Sequence, residues 1–137
     1  MTWRDYVCES GKRGHKRRAG NLFDALVEFS TDGARKCDKC GHATELRLQF
    51  DFGLDIGRTP CTVLNVFMPR KLVRWNKVVF YPFLVVVQRG KTLAYWLPYW
   101  HLDDGKKKYG QWAAFMNEPL FKDLLLQAKK HGYLRNL

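Results

Sequence analysis

Long apolar runs are missing from this sequence. The longest, Val78 to Val87, is interrupted by Pro82 and falls far short of the ~20 residues a spanning helix needs. No membrane segment is expected. Serine is nearly absent, with Ser10 and Ser30 alone, and neither sits in the Gly-x-Ser-x-Gly frame of a nucleophile elbow. Acidic residues are scarce, 13 against 24 Lys+Arg, for a formal net charge of +11. The first residues show neither the apolar core nor the small-residue cleavage site of a secretory signal. A cytoplasmic, reducing setting is therefore expected, and with it no disulfide framework.

What is present suits a small globular protein. The length, 137 residues, has room for one core, and 46% hydrophobic with 15% aromatic residues excludes wholesale disorder. Residues 1–20, basic and broken by Gly11, Gly14 and Gly20, read as a flexible arm, and residues 21–137 as a single domain. Leu22 to Phe29 fits a short helix capped by Asn21 or a strand. Turn chemistry at Thr31, Asp32 and Gly33 favours a strand entering a hairpin. Thr44 to Phe52 alternates, with Leu46, Leu48, Phe50 and Phe52 on one face, and is expected as a half-buried strand. Cys61 to Met68 is expected as another, stopped by Pro69. Val78 to Gln88 and Thr92 to Leu97 read as a hairpin around Arg89, Gly90 and Lys91, with Pro82 marking a bulge or a strand start. Asn117 caps an expected helix over about 118–131 that carries Leu120, Phe121, Leu124, Leu125 and Ala128 and ends before Gly132. The sum is an α+β fold: a mostly antiparallel sheet or small β-barrel with a C-terminal helix.

Arg35 to His42 holds Cys37 and Cys40 two residues apart in a turn, followed by Gly41. This has the form of half a zinc ribbon, because two thiolates at that spacing can face one ion. No second Cys-x-x-Cys exists. Cys8 and Cys61 would complete a four-thiolate site, with His15 or His42 able to replace either. A thioredoxin-like pair would open a helix, whereas a strand follows here. The competing structural reading leaves Cys8 and Cys61 as ordinary buried thiols. A complete zinc site of this kind would be structural, since four protein ligands leave no open position.

The positive charge is uneven. Residues 1–20 hold six cations against two acids, and residues 70–91 hold six against none. Lys12, Arg13, Lys16, Arg17 and Arg18 in the first stretch are candidate phosphate contacts, as are Arg70, Lys71, Arg74, Lys77, Arg89 and Lys91 in the second. Trp75 beside Arg74 adds a ring on which a base can stack. Tyr81, Tyr95, Trp96, Tyr99, Trp100, Tyr109 and Trp112 serve either stacking or core packing. Asp103 to Lys108 reads as a solvated loop tip.

No motif supports catalysis, although His101, Asp103 and Asp104 could contribute acid–base groups. Gly53 to Thr59 fails the phosphate-loop pattern in spacing and in its missing lysine. Glu45 and Asp51 would lie ~20 Å apart along an extended strand, too far to share an ion. The function expected is that of a small basic nucleic-acid-binding protein with a structural zinc knuckle. Alternatives are a protein- or peptide-binding module using the Tyr/Trp-rich stretch 95–100, and a metal-dependent enzyme acting on nucleic acid.

Overall fold

The computed structural model describes residues 3–49, 60–110 and 118–136. In chain order the described elements are β1 (Trp3–Cys8), β2 (Lys16–Arg18), α1 (Leu22–Asp32), β3 (Thr44–Gln49), β4 (Cys61–Phe67), β5 (Val73–Trp75), β6 (Val78–Pro82), β7 (Leu84–Arg89), β8 (Thr92–Trp96), β9 (Tyr99–Asp103), β10 (Lys106–Tyr109) and α2 (Glu118–Lys130). They build two sheets, ordered β2-β1-β3-β4-β7-β8 and β10-β9-β6-β5. The ladders β1–β2, β1–β3, β3–β4, β9–β10, β5–β6 and β6–β9 are antiparallel. Among the described residues each sheet keeps two edge strands, so the α+β expectation is met by open sheets and not by a closed barrel. No described helix is long and apolar enough to cross a membrane. The chain groups into two units, residues 1–66 with 86–95 and residues 67–85 with 96–137.

In the first unit, alternation decides β3: Leu46 and Leu48 are fully buried while Glu45, Arg47 and Gln49 are half-buried. The expected extension to Phe52 lies outside the described residues, as does most of the loop expected over 53–60. Within residues 3–18, expected as part of a flexible arm, the chain forms β1 and β2 joined by the loop 9–15. Tyr6 and Cys8 alternate into the core, and β1 lies between β2 and β3. The segment from Leu22 is a helix and not a strand. Asn21 Oδ1 accepts from the Asp24 N–H at 3.2 Å, which satisfies a first-turn donor. Phe23, Leu26 and Phe29 are buried at a three-residue spacing that only a helix brings onto one face. Thr31 and Asp32 are its last turn, and the Gly33 N–H closes it by donating to Phe29 O at 2.9 Å.

The expected hairpin around Arg89, Gly90 and Lys91 is present as the neighbouring strands β7 and β8, but its first strand, expected from Val78, is divided at Pro82. Proline offers no N–H to a ladder, the strand ends there, and the Phe83 N–H donates to Pro98 O at 2.9 Å. Val78–Pro82 and Leu84–Arg89 consequently fall in different sheets. Asp103 to Lys108 is no plain loop tip. Asp104 and Gly105, both at positive φ (51° and 79°), make the tight turn between β9 and β10. A side chain at Gly110 would collide with the ring of Tyr99, to whose carbonyl the Gly110 N–H donates. Helix α2 agrees with expectation in extent. Its buried face is Leu120, Leu124 and Ala128, while Phe121 faces solvent; Asn117, the expected cap, lies outside the described residues. Gln127 Nε2 donates to Met68 O at 3.1 Å, and Asp123 Oδ2 accepts from the Arg70 N–H at 2.9 Å. These two bonds fix the helix to the chain leaving β4.

Candidate metal centre

Two short loops face each other in the first unit. Between β1 and β2 the chain doubles back: the Cys8 N–H donates to His15 O at 3.0 Å and the Gly11 N–H to Cys8 O at 3.1 Å. The second loop, 37–42, closes when the Cys37 N–H donates to His42 O at 2.7 Å and the Gly41 N–H to Cys37 O at 2.9 Å. Side chains clasp the two together. Lys39 Nζ donates to Gly14 O at 2.8 Å, and Arg17 pairs with Asp38 at 2.9 Å.

Each loop contributes two ligand atoms. Those of Cys8, His15, Cys37 and Cys40 all lie within 4.8 Å of one another. Cys8 Sγ is 3.4 Å from Cys40 Sγ, and Cys37 Sγ is 3.7 Å from His15 Nδ1. A tetrahedral ion with thiolate arms of ~2.3 Å separates its ligands by ~3.8 Å, so the donors are spaced for one ion. The Ser10 hydroxyl, 3.0 Å from Cys8 Sγ, is the chief cause that lowers the Cys8 thiol to about 6. At Cys40 the His42 backbone N–H lowers the thiol, but burial and the neighbouring Cys8 and Cys37 sulfurs outweigh it and the net direction is up.

Three of the four expected thiolates are therefore brought together, and Cys61 is not. It is buried at the start of β4, opposite Leu48, and His15 stands in the place proposed for it. His42 touches the cluster only from outside, its Nδ1 3.2 Å from Cys40 Sγ. Hydrogen bonds of this kind orient ligands and tune their basicity.

The basic candidates separate into groups. Lys12 and Arg13 are exposed on the first loop, and Lys16, Arg17 and Arg18 are exposed on the edge strand β2, where Lys16 also pairs with Asp5 at 3.1 Å. Beside the cluster opens a cleft of ≈ 60 Å³ whose lining includes Tyr6, Lys16, Arg17, Arg35, Lys36 and Lys39. Arg35 lies over the Tyr6 ring, 5.7 Å from its centroid. Arg35, Lys36 and Lys39, which line this cleft, are cations the sequence reading did not single out, although they stand on either side of Cys37. The stretch 70–91 is divided. Arg70, Lys71, Arg74, Trp75 and Lys77 belong to the second unit and are exposed, while Arg89, half-buried, and Lys91 flank the β7–β8 turn in the first. Of the aromatics expected to offer a surface, Tyr99 and Trp100 are buried, and Trp112 lies outside the described residues.

Comparison of the chain with protein-family models, with curated proteins and with solved structures gives no match.

Proposed function

We propose that this chain is a nucleic-acid-binding protein in which a zinc ion held by Cys8, His15, Cys37 and Cys40 fixes the shape of a basic contact region. One observation carries the reading. The four ligands lie at the two loops that bear Lys12 and Arg13 on one side and Lys39, with Lys36 just before Cys37, on the other, and β2 with its three exposed cations directly follows the first. Three thiolates and an imidazole in a tetrahedral spacing suit zinc, and a site closed by four protein ligands is structural. Its work here is to tie the two loops that carry these cations to one another through their ligands. Ordered cations can neutralise phosphates at defined positions and release their counterions.

Metal content and binding test this together. Purified protein should carry one zinc per chain, and its affinity for a mixed-sequence oligonucleotide at low ionic strength should fall when the zinc is removed by a chelator and return when zinc is restored. Protein without zinc, or binding indifferent to zinc and salt, would overturn the reading. A protein-binding alternative draws on Leu93 and Tyr95, exposed two residues apart on the edge strand β8. It predicts that neutralising Arg70, Lys71 and Arg74 leaves binding intact.

A further inference from the structure

The second sheet carries a face whose chemistry is separate from the metal centre. Across its ladders Val73 stands opposite Phe80, Phe80 opposite His101, and His101 opposite Lys108. Two residues along, Trp75, Val78, Asp103 and Lys106 are aligned in the same way. Opposed residues point to one side of a sheet, and so do residues two apart on a strand. Trp75, Phe80, Tyr99 and His101 therefore share a side, with Lys106 and Lys108 along its edge.

Phe80, Tyr99 and His101 pack on one another, with ring centroids 5.5, 5.8 and 5.4 Å apart, and make a floor. Trp75 stands clear of it on the edge strand β5, 79% exposed. The largest apolar side chain of a protein is seldom left so open in a solvated strand, and an open ring beside cations is suited to a planar partner. Strands β5 and β10 lie about 14 Å apart across this face, room for a few nucleotides.

We propose that this face binds single-stranded nucleic acid, with one base stacked on Trp75, the next against the Phe80–His101 pair, and the backbone led across to Lys106 and Lys108. The inference rests on the nucleic-acid reading above and adds strandedness and place to it. Unpaired bases offer both faces to a ring, whereas a duplex keeps them covered by neighbouring pairs. Asp103, the acid in these rows, is paired with Lys108 at 3.3 Å, so its charge is already met.

Anisotropy titrations of the full-length, zinc-loaded protein test the inference, using a labelled thymidine oligonucleotide of about 12 residues and a duplex of the same length. The single strand should bind more tightly. Trp75→Ala should weaken it about tenfold, since a stacked base contributes ~1–3 kcal/mol, with the salt slope unchanged because no phosphate contact is lost. Trp75→Phe should recover most of the affinity. Replacing Lys106 by Ala should lower the slope by ~0.7. Equal affinity for duplex and single strand, or a Trp75→Ala variant that binds as the parent does, would overturn this inference and leave the nucleic-acid reading standing. Failure of both oligonucleotides to bind at low salt would overturn both.

Discussion

Cys8 and Cys61 are both buried cysteines of one sheet, yet among the described residues only Cys8 belongs to the cluster of ligand atoms, and that difference separates a ligand from a packing group. Cys8 Sγ lies 3.4 Å from Cys40 Sγ, while Cys61 begins β4 opposite Leu48. Removing even an outer partner of a metal ligand lowers affinity ~10–100-fold, so Cys8→Ala or His15→Ala should lose at least tenfold in a competition titration against a chromophoric zinc chelator. Cys61→Ala should keep the parental zinc affinity and lose only about 1 kcal/mol of stability from packing. Zinc loss from the Cys61 variant equal to that of the Cys8 variant would reject the assignment. Spacing alone made Cys37 and Cys40 legible, because two thiolates one turn apart must face the same way. His15 was legible only as one of two substitutes, beside His42. What selects it is the backbone pairing of Cys8 with His15 across the first loop, and nothing in a six-residue separation announces that pairing.

Elements with a long, uniform pattern were readable, and those decided by their ends were not. Helix α2 repeats its apolar positions over three turns, and β3 alternates without a break. Helix α1 has only eight residues of ambiguous pattern before Thr31, so its Asn21 cap and the burial of Phe23, Leu26 and Phe29 decide it. The division at Pro82 also escaped, since a missing donor says that a ladder stops but not that the chain changes sheet. Two predictions belong to this scale. Gly110→Ala drives a methyl into the Tyr99 ring, and overpacking of this kind costs ~1–3 kcal/mol; a thermal midpoint equal to the parent's would contradict it. Asp123 concerns pH. Burial raises its carboxyl, but the Arg70 backbone N–H, the Gln127 amide and the Arg70 charge outweigh it and hold the group below its usual value of 3.8. A lowered folded value stabilises the ionised state above the unfolded value, and that gain is lost as pH falls through the folded one. Asp123→Asn should therefore lower stability at pH 7, by less than about 1 kcal/mol because the group is largely in water, and should match the parent near pH 2. A variant that differs from the parent equally at both pH values would place the effect in packing instead of charge.

At the scale of the molecule the charge of +11 acts through where it is placed, not through its total. The sequence showed two acid-poor stretches, and the second of them is shared between the two units, with Arg70 to Lys77 in one and Arg89 and Lys91 in the other. Three local groups result: the loops around the metal cluster, the turn between β7 and β8, and the exposed residues of the second sheet. Salt separates local contacts from a diffuse field, because each neutralised phosphate adds ~0.7 to the log–log slope on a single strand and ~0.9 on a duplex. Replacing Lys12, Arg13 and Lys36 by Ala removes three charges beside the metal centre and should lower the single-strand slope by ~2. Replacing Lys122, Lys129 and Lys130 on helix α2 removes the same charge from a helix that none of the contact groups includes, and should leave the slope at its parental value. Equal losses from both triple variants, measured by anisotropy over a range of salt concentrations, would mean that net charge alone attracts the polyanion. An effect confined to the first variant would mean that the loops ordered by the cluster touch phosphate directly.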